Sequence, residues 1–448
     1  MDIILGMIFT FLLLIYFISS NVFVGIPLLF GLLIFCFIAY RRGFLIKDIF
    51  NMAYTGSKKA FVVLQIFFLI GGITSIWMCA GTVPAIVYYG IKFMNPNLFI
   101  LYAFLISSIV SILLGTSFGT VGTVGIALMV LARSGNINLS IAAGAIISGS
   151  FFGDRCSPMS SSANLVANLT NTNLYLNIKN MIKTSIIPFI ISCILYAIIS
   201  LKTPLNFLGN TIDKDILATF NISLLVLLPS FIIIILSLFK INVKISMLIS
   251  IVISFLISIT YQNYSLMEVI KFLVFGFKLD SSNPLSTIIK GGGIISMWKA
   301  SFVIFVSCSI AGIFNGTNML KTVENILLKA KSKTQVYLYT FVTSILTAAF
   351  GCNQAISVVL TSELMSKVYK KKNLSNYNLA IDIENTSILL SALIPWNIAA
   401  FVPTTTLNID AFSFIPYAFY LYLLPIINIF TINYLKINKD NKKCKEVN

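Results

Sequence analysis

The chain has 448 residues, of which 58% are apolar and only 10% charged, with a formal net charge of +17 and no histidine. Soluble domains carry about 25% charged residues, so this composition cannot cover a water-facing surface and excludes a string of soluble domains. The surplus lysines and arginines lie in short loops and near the C-terminus, where they set membrane orientation rather than bind a polyanion, and nucleic acid is not an expected partner.

Near-continuous apolar runs open the chain at 3–19 and 22–40, and roughly 20 such residues cross a hydrocarbon core. The start, Met1-Asp2, lacks the positive region of a signal peptide, so the first run is expected to be a retained helix. Arg41, Arg42, Lys47, Lys58 and Lys59 follow in one loop and place it, with the N-terminus, on the cytoplasmic side. A third span is expected over 61–80, running outward. Lys240 and Lys244 mark a second cytoplasmic loop, Lys321, Lys329, Lys331 and Lys333 a third, and Lys436 to Lys445 a cytoplasmic C-terminus.

The chain repeats itself. Leu101-Tyr102-Ala103-Phe104, with Ser107 beyond, recurs as Leu338-Tyr339-Thr340-Phe341 with Ser344. Each copy then reaches a polar break, Gly115-Thr116-Ser117 and Gly351-Cys352-Asn353, and each has a proline 57 residues after its leucine, Pro158 and Pro395. Leu101 should open its helix outside and Leu338 inside. Copies crossing in opposite senses are the inverted repeat of secondary transporters, whose sites lie at the midplane between the halves.

The fold expected is an all-α polytopic membrane protein of about 11–13 transmembrane spans in two inverted-topology repeats, with broken helices and re-entrant segments. Its organisation is an N-terminal hairpin and loop (1–60), a first repeat (61–202), connecting spans (203–260), a second repeat (261–436) and a basic tail (437–448).

The chemistry concentrates at the breaks. In the first half, Thr116, Ser117 and Thr120 interrupt apolar runs, and Asp154, Arg155, Ser157, Ser160 and Asn164 follow around Pro158. In the second, Asn353 and Gln354 form one break, and Glu384, Asn385, Thr386 and Asn397 surround the next. Non-helical backbone at membrane depth is tolerated only when buried in protein or lining an aqueous cavity. Its oxygens suit a desolvated cation, so transient Na+ ligation is expected at Asp154 and Glu384. With histidine absent, a transported proton needs a carboxylate, a lysine or water. Two structural alternatives stand beside this reading. Asp154 and Arg155 could pair locally, and Glu384 could sit at a helix start, where the macrodipole favours it. Gly291-Gly292-Gly293 lacks the lysine spacing of a phosphate loop and is expected to be a flexible helix start.

The segments Phe68–Gly72, Trp77, Ala80–Gly90, Ser148–Asn164 and Glu384–Asn397 together resemble the signatures of NhaC-type sodium/proton antiporters. The second-last is similar to that family's Gly-Asp-x-x-Ser-Pro-Leu-Ser-Asp-Thr-Thr-Asn motif, and the last to its Glu-Asp-Ser-Gly…Pro-Trp-Asn segment. Asp154, Ser157, Pro158, Ser160, Asn164, Glu384, Pro395, Trp396 and Asn397 match, whereas Ser161 and Asn385 stand where Asp is usual. The resemblance implies a cation-coupled antiporter exchanging Na+ for H+ across the bacterial inner membrane. Its alternative is Na+- or H+-coupled exchange of a small organic anion such as malate or lactate, or of an amino acid, with Arg155 on the substrate carboxylate. Na+, H+ and membrane lipid are the expected partners, a homodimer is left open, and no cofactor is implied. No HExxH, nucleophile elbow or P-loop supports an enzyme.

Overall fold

The computed structural model describes residues 25–434 except 59, 206–211, 240, 318–326, 329 and 331, and scattered positions between 6 and 23. Most of the first expected span, Lys59, Lys240, Lys321, Lys329, Lys331 and the basic tail lie outside the described residues. The second and third expected spans are the helices Gly25–Arg41 and Ala60–Cys79.

Helices dominate because the apolar runs have no water to satisfy their backbone and must close their own hydrogen bonds. Five described helices are long and apolar enough to cross a membrane: Pro96–Leu114, Ser117–Ser134, Leu174–Lys202, Val243–Thr260 and Ile294–Phe314. Two bent helix pairs are also apolar enough to be a broken span or a re-entrant loop, Leu64–Cys79 with Thr82–Phe93 at 66°, and Asp213–Thr219 with Leu224–Leu236 at 95°. Shorter apolar helices run over Gly25–Arg41, Ile398–Leu407 and Phe419–Thr431. This is a multi-pass membrane protein, with large apolar side chains such as Ile186, Ile190, Ile194 and Ile198 turned outward on one long helix.

Two helix pairs hold the breaks in place. In the first half, Phe99–Leu114 packs along Leu139–Cys156. A Cβ on Gly149 would come within 2.4 Å of the Phe104 carbonyl, and one on Gly153 within 2.4 Å of the Ile112 nitrogen. Only glycine lets these backbones touch, and the approach fixes the depth of Asp154, one residue further on. In the second half, Lys333–Gly351 packs against Gln354–Lys371 and against the interrupted pair Asn376–Asn385 and Ser387–Ser391.

The local geometry repeats at matched positions. Gly115 (φ 66°) and Cys352 (φ 51°), each 14 residues after the leucine of its copy, end their helices in the left-handed conformation. The next residues, Thr116 and Asn353, are extended and cap the following helix with their side chains. Ser160 and Asn397, 59 residues after those leucines, are extended N-caps as well. A left-handed stop followed by a polar cap satisfies the backbone groups that a broken helix would otherwise strand in an apolar setting.

Candidate functional site

The first-half break folds around one carboxylate. Asp154 lies in the last turn of Leu139–Cys156 and is buried, 5% exposed. Its Oδ2 accepts from Ser117 Oγ at 3.0 Å, and its Oδ1 from Ser160 Oγ at 2.9 Å and Ser162 Oγ at 3.3 Å. Ser117 is the first residue of one helix, while Ser160 caps another and Ser162 lies in its first turn. Two helix N-termini therefore point at Asp154, and their dipoles favour negative charge there. Among the described residues no ion pair forms with Arg155, and the hydrogen bonds of Asp154 come from Ser117, Ser160 and Ser162.

Arg155 turns the other way. It is fully buried and donates to Thr184 Oγ1 at 2.9 Å, Tyr420 Oη at 3.2 Å, the Met181 carbonyl at 3.4 Å, and to Ser185 and Asn385 Oδ1. It thus joins the first half to the second through both terminal nitrogens, while its Nε has no hydrogen-bond partner among the described residues. A substrate carboxylate gripped by Arg155, as expected for the organic-acid alternative, would have to compete with these bonds.

Asp154 reaches a cavity of about 400 Å³ where the breaks of the two halves meet. Thr116, Ser117, Ser161 and Ser162 line it from the first half, and Asn353 and Gln354 from the second. The Gln354 Nε2 is buried without a hydrogen-bond partner among the described residues. Ser162 completes the ring around Asp154; its place in the hydroxyl run of the motif was the signal available for it.

The other expected residues sit around this cavity rather than on it. Thr120 donates to the Thr116 carbonyl at 2.9 Å, and Ser157 to the Ile112 carbonyl at 2.6 Å. Asn164 braces the Pro158 turn through the Pro158 and Ser160 carbonyls. Asn397 Nδ2 donates to the Ala348 carbonyl at 2.7 Å, and Trp396 Nε1 to that of Ala349 at 2.8 Å, pinning the second-half break to the end of Lys333–Gly351. Thr386 donates to the Asp382 carbonyl and meets Ser344 at 2.9 Å.

Glu384 is fully buried, and neither of its oxygens has a hydrogen-bond partner among the described residues. It occupies the penultimate position of the helix Asn376–Asn385, at the negative end of the dipole. That corrects the expectation of a helix start and leaves the macrodipole unable to account for it. The charges of Arg155 and Asp154 both act on it, so Glu384 and Asp154 share one field while only Asp154 faces the cavity. A third buried carboxylate, Asp382, accepts from Tyr369 Oη at 2.6 Å, with its other oxygen unpartnered among the described residues. It lies two residues before Glu384, and no spacing in the sequence singles it out.

A second cavity, of about 590 Å³, lies further along the same three elements. The helix Ala60–Cys79 runs from Ile66 on the first cavity to Thr74 on the second, the helix after Thr116 from Phe118 to Ile126, and Ile398–Leu407 from Ala399 to Thr405. Six to eight helical residues span roughly 9–12 Å. Between them, Val121–Gly125 forms a π-turn, and the Ile70 side chain fills the space a Cβ on Gly122 would enter, at 2.8 Å. Such turns are uncommon and recur at functional positions.

The model of the Na+/H+ antiporter family matches residues 149–434. The chain belongs to that family. Among its relatives, this antiporter-family chain is 28% identical over 440 residues to the malate-2H+/Na+-lactate antiporter of Bacillus subtilis, covering 94% of this chain and 93% of that one. It is 27% identical over 392 residues to the Na+/H+ antiporter NhaC of Alkalihalophilus pseudofirmus (86% and 84%), and 28% identical over 415 residues to the arginine/ornithine antiporter ArcD of Halobacterium salinarum (90% and 84%). The resemblance read from the breaks agrees with the family match.

Proposed function

We propose that this protein exchanges Na+ for H+ across the cytoplasmic membrane, with Asp154 as the group that carries one or the other. A buried carboxylate on a cavity wall, ringed by three serine hydroxyls and bonded to no cation, carries the reading. Carboxylate and hydroxyl oxygens are hard donors suited to an alkali ion, and the hydroxyls can rotate from donating to Asp154 to presenting lone pairs to the metal. Sodium and proton then compete for one anion, and exchange follows without further linkage.

The two cavities supply the route. The first opens from the end of Ala60–Cys79 that follows Lys58, the expected cytoplasmic side, and the second lies toward the other face. Ile70 against Gly122 closes the space between them, and movement of that contact would give alternating access, one half rocking against the other. The 61–202 and 261–436 segments are the two halves, and their matched breaks support an inverted repeat.

Reconstitution tests the reading. Vesicles holding the wild-type protein should acidify or alkalinise with an imposed Na+ gradient, and D154N should abolish that movement. D154N vesicles exchanging at the wild-type rate would remove the central role of Asp154. Exchange of a small organic acid is a second reading, supported by the malate–lactate relative and by the positive lining of the far cavity.

A further inference from the structure

The far cavity is lined by three cationic side chains, Arg133, Lys278 and Lys290, and by no acidic one. Lys278 and Lys290 belong to the two strands of the small antiparallel ribbon Phe277–Lys278 and Lys290–Gly291, where they are direct register partners. Like charges opposite one another on a ribbon repel. The ribbon nonetheless cannot drift away. Gly293 donates to the Gly71 carbonyl at 2.7 Å, and a Cβ on Gly292 would meet the Ser75 nitrogen at 2.5 Å. Gly276, Gly292 and Gly293 all have positive φ, at 98°, 71° and 90°. The triple glycine is therefore a docking seam against Ala60–Cys79 that holds two lysines over one opening, rather than a flexible helix start.

Arg133 enters from the opposite wall. Its Nη2 donates to the Leu407 carbonyl at 2.8 Å, its single acceptor among the described residues, which fixes the fork at the cavity edge. Thr406 Oγ1, also on the lining, is buried and has no hydrogen-bond partner among the described residues. The remaining wall is mixed, apolar at Met78, Ile126, Met129 and Phe277 and polar at Thr74, Ser296, Thr405 and Asn408. A cationic rim, an unspent hydroxyl and a partly apolar wall match a ligand with an anionic head and a carbon body.

We propose that this cavity is an anion vestibule admitting a small organic carboxylate to the transport path, with Lys278 and Lys290 drawing it in and Arg133 and Thr406 orienting it. The proposal rests on the exchanger reading above and assigns that exchanger an organic co-substrate. The experiment uses the full chain, purified and reconstituted, with lactate, malate, inorganic phosphate and chloride as probes. Lactate or malate should protect the wild-type protein against thermal unfolding. The half-protecting concentration should rise about tenfold in K278Q/K290Q and further in R133Q, with K278R/K290R restoring the wild-type value. D154N should keep carboxylate protection while losing Na+-driven proton movement, which separates this site from the one at Asp154. The proposal is overturned if neither carboxylate protects, if phosphate or chloride protects equally well, or if the glutamine variants are protected like the wild type. Na+/H+ exchange that persists in any of these cases leaves the antiporter reading standing.

Discussion

Arg155 Nη2 donates to Asn385 Oδ1, so the residue after Asp154 in one half is bonded to the residue after Glu384 in the other. Asn385 stands where the family commonly has Asp, and the bond shows what the change does. A carboxylate there would neutralise Arg155, whereas the amide leaves the positive charge to act on Glu384.

Removing the guanidinium strands several buried acceptors at once. R155Q is expected to destabilise the protein by about 3–5 kcal/mol, the usual effect of breaking a buried charged network. N385D, which supplies a charge-assisted partner, should be neutral or stabilising. Thermal unfolding of the detergent-purified variants measures both. A melting temperature in R155Q equal to the wild type would show that the bridge between the halves is not structural.

The hydroxyls around Asp154 differ in geometry and should differ in effect. S117A and S160A each remove a hydrogen bond near 3.0 Å and should weaken Na+ activation by about 10–100-fold, as hydrogen bonds to a charged group contribute about 1.5–3 kcal/mol. S162A removes a contact of 3.3 Å and should have a smaller effect. The Na+ dependence of proton movement in vesicles ranks them, and S162A proving the most damaging would contradict the ranking.

At the contact between the cavities, G122A places a methyl against Ile70. Overpacking typically costs about 1–3 kcal/mol, and here it should slow exchange while leaving Na+ affinity at Asp154 intact. Adding I70A should recover most of the lost rate. Failure of the double variant to recover would mean that Gly122 serves the π-turn and not the closure.

Asp382 depends on Tyr369 as the donor to its carboxylate. Y369F should destabilise by about 1–3 kcal/mol, the cost of an unsatisfied buried acceptor. D382N/Y369F should be less damaged than D382 paired with phenylalanine, because a neutral amide is cheaper to bury. Urea or thermal unfolding of the two variants beside the wild type decides this.

The membrane class was determined by composition alone, since a chain with a tenth of its residues charged has no other solvent. The positions of the breaks were equally legible. A glycine followed by a threonine at 115–116 and an asparagine cap at 353 act through their own backbone and nearest neighbours, so no distant residue is needed to read them. Partnership was not legible. Asp154 and Arg155 are adjacent in sequence, yet successive residues on a helix point about 100° apart, and one meets serines while the other crosses to Asn385. Lys278 faces Lys290, and Tyr369 finds Asp382, only because separately folded segments dock at a fixed register. Local chemistry chose where the helices stop; the packing of the two halves chose which charges meet.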